Sequence, residues 1–185
     1  MPYPRQHRSA KRLARWALLA MAMGAASAVA TPDAAELKVG AKAPEFTLKD
    51  IKGKTYALKD YRGKKVVLLD FGRFMCRPCQ YVVQRLEKLQ RRYKDKGVQI
   101  FSVNLDGPFA ERVVPMGIEH FQLTFPVILD GDFKVAESYK VETIPYLVLI
   151  DTKGVVRFTH VVRDPEFEKT LVDQIDKYRP KEKKQ

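Results

Sequence analysis

The apolar residues divide the middle of the chain into a strand, a helix and a second strand. Lys65–Phe71 and Val98–Asn104 are mostly apolar runs of the length that is typical of buried strands. Between them, from about Arg77 to Lys94, apolar residues recur four, three and four positions apart, at Val82, Leu86, Leu89 and Tyr93. This spacing predicts one face of a helix, which we expect to end at Gly97 as a C-cap.

The flanking segments add further strands and helices. Alternating residues on either side of Asp50–Gly53 predict a short β-hairpin. The other predicted elements are one helical turn at Leu58–Tyr61, a helix at Pro108–His120 interrupted by Pro115, a short strand at Phe125–Leu129, a brief helix at Phe133–Tyr139, strands at Tyr146–Ile150 and Val155–His160, and a helix from Pro165 to Tyr178. This order predicts one α/β domain over residues 38–178, with helices flanking a central mixed β-sheet.

The first thirty residues differ in character from the rest. A basic start without acidic residues leads into the apolar run Trp16–Gly24, and small residues follow as far as Ala28-Val29-Ala30. This three-part pattern predicts a secretory signal peptide at residues 1–30, and therefore an exported, periplasmic or otherwise extracytoplasmic protein. An uncleaved segment that tethers the protein to the membrane is the alternative, although the fifteen residues Trp16–Ala30 are fewer than the roughly 20 that span a bilayer.

The chain is basic, with a formal net charge of +12. Part of the excess lies before residue 31 and part in the tail at residues 179–185. A basic tail can contact nucleic acid or anionic lipid. Because an exported protein seldom meets nucleic acid, we predict a solvated C-terminal tail and no nucleic-acid partner.

The two cysteines, Cys76 and Cys79, stand three positions apart. A disulfide between them closes too short a loop to stabilise the fold much, so redox chemistry is the better explanation. Cys76 lies at the predicted helix N-terminus, where free N–H groups and the helix dipole favour a thiolate, and Arg77 and Arg73 add positive charge. We expect Arg77 to lower the pKa of Cys76. Cys79, one helical turn on, can attack a mixed disulfide formed at Cys76.

Three separated features carry a family resemblance. The first is the Cys76-x-x-Cys79 motif after a buried strand. The second is Asp70, six residues before Cys76, and the third is Val141-Glu-Thr-Ile-Pro145, followed by an apolar strand. In this order they resemble the thioredoxin superfamily, in its exported TlpA-like or redoxin branch, over about residues 38–178. The lead-in from Val39 to Leu48 also resembles that branch.

The resemblance implies a thioredoxin-like fold with an N-terminal β-hairpin. It implies that Asp70 is a buried carboxylate that moves protons during exchange and that Pro145 is a cis-proline packed against the dithiol. An acid inside an apolar run is itself expected to be buried with a raised pKa, although Asp70 could instead be an N-cap or a surface carboxylate. An ordinary trans-proline is the alternative for Pro145.

Four positions depart from the family pattern. Met75 and Gly72 stand where tryptophans are usual. Val82 stands where cytochrome-maturation members often carry Glu, so a role in cytochrome c maturation is not carried over. Arg73 stands where peroxiredoxins carry Thr or Ser, which disfavours peroxidase chemistry.

The predicted function is disulfide exchange with client proteins through the dithiol. The thiolate is the reagent, so no cofactor is expected, and two thiols fall short of the four ligands of a zinc site. Asp70 and the Ile144-Pro145 pair favour reduction and Arg77 favours oxidation. We predict a reductase that is supplied by a membrane-bound electron donor.

The alternative function is copper handling, because soft thiolates suit Cu(I). His160 is then a candidate additional ligand. Otherwise His120, His160 and Glu142 are expected to be structural or surface residues.

Overall fold

The computed structural model describes residues 37–181, so the predicted signal peptide and the last four residues of the predicted tail lie outside the described residues. The strands are β1 (Thr47–Asp50), β2 (Thr55–Ala57), β3 (Val66–Gly72), β4 (Val98–Asn104), β5 (Val127–Leu129), β6 (Tyr146–Ile150) and β7 (Val156–Val161). The helices are α1 (Arg77–Tyr93), α2 (Ala110–Phe121), α3 (Lys134–Ser138) and α4 (Phe167–Tyr178), with single 3₁₀ turns at Leu58–Tyr61 and Gly107–Phe109.

The strands form one mixed sheet in the order β2-β1-β5-β4-β3-β6-β7. β4 pairs in parallel with β3 and with β5, and the remaining neighbours pair antiparallel. The predicted mixed sheet and N-terminal hairpin are therefore confirmed. β3 lies inside the sheet between β4 and β6, so the chain that leaves β3 toward α1 starts from the interior of the fold.

Alternate side chains of β3 enter two different cores. Val67 and Leu69 pack in the cluster on the α3 side of the sheet. Val66 and Leu68 pack in the cluster that contains the apolar faces of α1 and α4. Successive side chains of a strand point to opposite faces, so Asp70, two residues after Leu68, lies on the α1 face. The strand's own periodicity thus directs this carboxyl group toward the helix that begins with the dithiol.

The predicted interruption at Pro115 is wrong, because α2 runs from Ala110 to Phe121 with Pro115 inside it. Proline removes one backbone hydrogen bond from a helix, here the one to the carbonyl of Glu111. Both Glu111 and Pro115 are exposed, so water can satisfy that carbonyl. The buried residues Val114 and Gly117 hold the opposite face of the helix against the rest of the protein.

Predicted helix ends also differ from the structure, by two residues or fewer at α2 and α3. α1 ends at Tyr93, and the residue that takes the left-handed conformation after it is Asp95, with φ 61°. Aspartate tolerates that conformation better than most residues. Gly97 also has positive φ, but it leads into β4, and a Cβ there would lie 2.8 Å from Pro180. α4 begins at Phe167, two residues after the predicted start.

Among residues 37–181, no helix has the length and apolar character needed to cross a membrane.

Candidate active site

Cys76 and Cys79 are joined by a disulfide at the N-terminus of α1, with their Cα atoms 5.2 Å apart. Cys76 is the N-cap residue, and its Sγ accepts a hydrogen bond from the backbone N–H of Cys79 at 3.3 Å. Pro78 occupies the first turn, where a missing N–H costs the helix nothing. The Cys79 N–H and the helix dipole therefore both favour the thiolate form of Cys76.

The two cysteines differ in accessibility. Cys76 is partly exposed, whereas Cys79 is only 4% exposed and lies on the buried face of α1. An external disulfide can therefore reach the sulfur of Cys76 but not that of Cys79. This inequality is the geometry that two-step thiol exchange requires.

Asp70 lies beneath the dithiol and is only 1% exposed. Burial raises its pKa to about 7, because the charged form loses hydration, and a hydrogen bond from the Ser102 hydroxyl at 3.5 Å opposes the shift. Its second oxygen, Oδ1, has no hydrogen-bond partner among the described residues. The predicted burial of Asp70 is confirmed.

Asp70 and Cys79 both line a small internal cavity, together with Ser102 and Asn104. Gly72 shows how close the two groups are, because a Cβ built on it would lie 3.5 Å from the Cys79 Sγ and 3.9 Å from Oδ1 of Asp70. The same point would lie 3.3 Å from the Cys79 Cβ, so a larger residue at position 72 would press on the second cysteine. A carboxyl group that can hold or release a proton near neutral pH therefore lies close to the buried thiol.

The Ile144–Pro145 peptide bond is cis, as the resemblance implies. Pro145 is buried, and its carbonyl accepts a hydrogen bond from the N–H of Val162 at 3.0 Å. A groove of about 580 Å³ is lined by Pro145 together with Pro78, the residue between the two cysteines. The structure thus brings the loop that ends at Pro145 and the dithiol loop, Cys76–Cys79, to one surface groove. Tyr81 adds an aromatic ring to this groove.

The remaining candidate residues lie around this centre. Arg77 is exposed at the first position of α1. Arg73 lies over the ring of Phe133 and, with Glu142, lines a separate groove near α3. His160 contacts Phe158 and the carboxylate of Asp164, at 3.1 Å. Within residues 37–181, no three or more His, Cys, Asp or Glu side chains are grouped so that they could hold a metal ion. The set of thiolates plus His160 is therefore not assembled.

Phe74 is the site residue that sequence reasoning missed. Its N–H donates to the carboxylate of Asp106 at 2.9 Å, and its carbonyl accepts from the Gln80 side chain at 2.6 Å. Its ring stacks on Phe121 and lies against Gly117, where a Cβ would come within 2.5 Å of the ring. Phe74 therefore fixes the loop before Cys76 to α2. The signal in the sequence was Gly117 itself. A glycine inside a helix costs about 1 kcal/mol relative to alanine, which indicates that a neighbouring group packs closely against it.

An α/β fold with a Cys-x-x-Cys disulfide at the start of the helix after a central strand, next to a cis-proline, defines a thioredoxin-fold thiol–disulfide oxidoreductase. The chain belongs to the AhpC/TSA family, whose model matches residues 39–159.

Known relatives agree with this class. The chain is 35% identical over 119 residues to the thiol-disulfide oxidoreductase ResA of Geobacillus kaustophilus, covering 64% of this chain and 67% of that protein. It is 35% identical over 126 residues to the thioredoxin-like protein YneN of Bacillus subtilis, covering 68% and 72%.

Solved structures show the same similarity. The thioredoxin domain of a thiol-disulfide oxidoreductase from Bacteroides vulgatus matches with a TM-score of 0.65 at 28% identity, over 76% of this chain and 99% of that one. A thiol:disulfide interchange protein from Bacteroides sp. matches with a TM-score of 0.64 at 29% identity, over 76% and 91%. The chain is a thiol–disulfide oxidoreductase.

Proposed function

We propose that this chain is an exported enzyme that reduces disulfides in client proteins, with Cys76 as the attacking cysteine and Cys79 as the resolving one. The observation that carries the proposal is the unequal exposure of the two sulfurs at the start of α1. The accessible sulfur accepts a hydrogen bond from a backbone N–H of the helix, and the buried one lies beside a carboxyl group.

The reaction proceeds in two exchanges. The Cys76 thiolate attacks one sulfur of the client disulfide, which forms a mixed disulfide and releases a client thiolate. The Cys79 thiolate then attacks Cys76, which releases the second client thiolate and leaves the Cys76–Cys79 disulfide. The client gains two electrons and the enzyme loses two. Two electrons from a donor restore the dithiol, and the proposed donor is a membrane-bound protein.

Asp70 serves the second exchange. Cys79 is buried and must lose a proton before it can attack. Asp70 lies across the small cavity from it, and its pKa of about 7 suits a group that accepts a proton at neutral pH. When charged, the carboxylate also disfavours a thiolate at Cys79, which destabilises the reduced form and supports reduction as the direction of exchange.

Arg77 and Pro145 serve the first exchange. The guanidinium of Arg77, in the loop between the cysteines, adds positive charge that stabilises the Cys76 thiolate. The groove shared by Pro78 and Pro145 offers an apolar surface beside the accessible sulfur, on which a client segment carrying the disulfide can lie.

The direction of exchange is tested by the reduction potential of the dithiol. We expect a value of about −270 mV, as in thioredoxin, because the buried carboxyl group disfavours the dithiolate. The measurement is equilibration of the full chain with dithiothreitol buffers, followed by trapping of free thiols. A value near −120 mV, as in a strong oxidant, would reverse the assigned direction.

Export is tested separately from chemistry. We expect the chain to be recovered outside the cytoplasm with Thr31 as its first residue, because the Ala28-Val29-Ala30 sequence matches a signal-peptide cleavage site. Cell fractionation followed by N-terminal sequencing gives the answer. An intact N-terminus in the membrane fraction would indicate a tethered protein, and recovery in the cytoplasm would contradict export.

A further inference from the structure

A second groove lies on the other side of the dithiol loop, between that loop and α2. It has a volume of about 360 Å³ and is lined by Met75, Met116, His120 and the aromatic rings of Phe74 and Phe121. None of the residues lining it also lines the groove shared by Pro78 and Pro145. We call it the methionine groove.

The exposure of its two methionines is unusual. Methionine is among the side chains most often buried in proteins. Met75 is 72% exposed and Met116 is 64% exposed, and they are the two methionines of the described residues 37–181. Both line the same groove, together with one of the chain's three histidines. Core packing therefore does not explain these residues.

We propose that Met75, Met116 and His120 form a binding site for Cu(I). Thioether sulfur and imidazole nitrogen are ligands suited to copper, and thioethers select the soft monovalent ion. Met116 and His120 are four residues apart on α2, which places their side chains on the same face of the helix. Met75 meets that face from the loop before Cys76.

The chemistry of the lining distinguishes Cu(I) from other cations. The residues lining the groove include no aspartate and no glutamate. Ca²⁺ and Mg²⁺ require oxygen ligands, and structural Zn²⁺ sites use four ligands of a different set. A site with neutral ligands and no compensating carboxylate suits a singly charged soft ion best.

The backbone places Met75 rigidly relative to α2. Both polar backbone groups of Phe74, the preceding residue, are hydrogen-bonded to Asp106 and Gln80. The Phe74 ring is held between Gly117 and Phe121 of α2. Only the flexible ends of three side chains must therefore reorganise for the site to close on an ion. Met75 also precedes Cys76, so the site adjoins the reactive sulfur without using it.

The test removes the thiols, so that any copper bound is not held by the dithiol. The full-length Cys76→Ser/Cys79→Ser chain is titrated anaerobically with Cu(I), kept reduced by ascorbate, against the chromogenic chelator bicinchoninate. We expect one Cu(I) per chain to be withheld from the chelator. Met75→Leu, Met116→Leu and His120→Asn, each added to this background, should weaken the affinity by about tenfold or more.

Matched controls separate the groove from other ligands of the same type. Met21→Leu and His160→Asn remove a thioether and an imidazole elsewhere in the chain and should leave the affinity unchanged. If the groove variants bind as tightly as their parent while Met21→Leu does not, copper binds in the N-terminal segment and the proposal is overturned. Equal binding by all variants overturns it as well.

A second measurement does not depend on affinity. In the same background with ¹³C-labelled methionine methyl groups, Cu(I) should shift the resonances of Met75 and Met116, which the leucine variants identify. Unmoved resonances at these two positions would contradict the site. Because the protein tested has no cysteines, neither result depends on the proposed exchange reaction.

Discussion

Cys79→Ser is expected to turn the enzyme into a trap that stays covalently attached to its clients. The partly exposed Cys76 can still attack a client disulfide, but serine cannot complete the second exchange. The mixed disulfide should therefore accumulate, and turnover should fall to the uncatalysed rate. Non-reducing electrophoresis after incubation with a model disulfide protein shows the adduct as a band that dithiothreitol removes.

Cys76→Ser is the matched control. The remaining thiol at Cys79 is only 4% exposed, so an external disulfide cannot reach it in the folded protein. We expect neither turnover nor adduct from this variant. Adducts from Cys76→Ser and none from Cys79→Ser would exchange the two roles, and would show that α1 opens enough during the reaction to expose the buried sulfur.

Local patterns predicted those parts of the site that depend on one strand and one helix. The apolar run Lys65–Phe71 predicted β3, and an acid within that run predicted the burial of Asp70. The alternation of side chains along a strand then places Asp70 on the face covered by α1. The predicted start of the helix at about Arg77 placed Cys76 at the helix N-terminus, where the structure has it as the N-cap. These features need no knowledge of distant residues.

Features that depend on distant residues were not predictable from the pattern. The backbone N–H of Phe74 donates its hydrogen bond to Asp106, 32 positions away. The contact of its ring with Gly117 needs the docking of α2, which sequence periodicity does not specify. At Pro115 the local rule was wrong. Proline predicted an interruption of the helix, but the packing of Val114 and Gly117 keeps α2 continuous.

Asp70→Asn is expected to slow exchange and to stabilise the fold above neutral pH. Asparagine cannot accept a proton from Cys79, so the step that resolves the mixed disulfide should slow on the order of a hundredfold at pH 7.5. In the parent enzyme that rate should rise with pH through the pKa of Asp70, about 7, and this rise should be absent from the variant. Stopped-flow measurement of mixed-disulfide decay over pH 5–9 tests both expectations.

The effect on stability has the opposite sign. The pKa of Asp70 is about 7 in the folded chain and about 3.9 when unfolded, so between these values the native state binds more protons and stability falls as pH rises. Below about pH 4 the ionisation of Asp70 therefore takes nothing from the free energy of unfolding, and above about pH 7 that free energy is lowered by the full cost of burying the charge. Asp70→Asn removes this cost. The change that it causes in the free energy of unfolding of the oxidised chain should therefore be more stabilising at pH 8 than at pH 4, by up to about 4 kcal/mol.

Ser102→Ala keeps the carboxyl group of Asp70 and removes only the hydrogen bond that it accepts from the Ser102 hydroxyl. The Ser102 hydroxyl lowers the pKa of Asp70, so its loss should move the midpoint of the exchange rate to higher pH while the dependence itself persists. Urea unfolding of the two variants and the parent at pH 4 and pH 8 completes the comparison. Equal stability gains from Asp70→Asn at both values would mean that Asp70 is already protonated at pH 8. The base that serves Cys79 would then have to be another group.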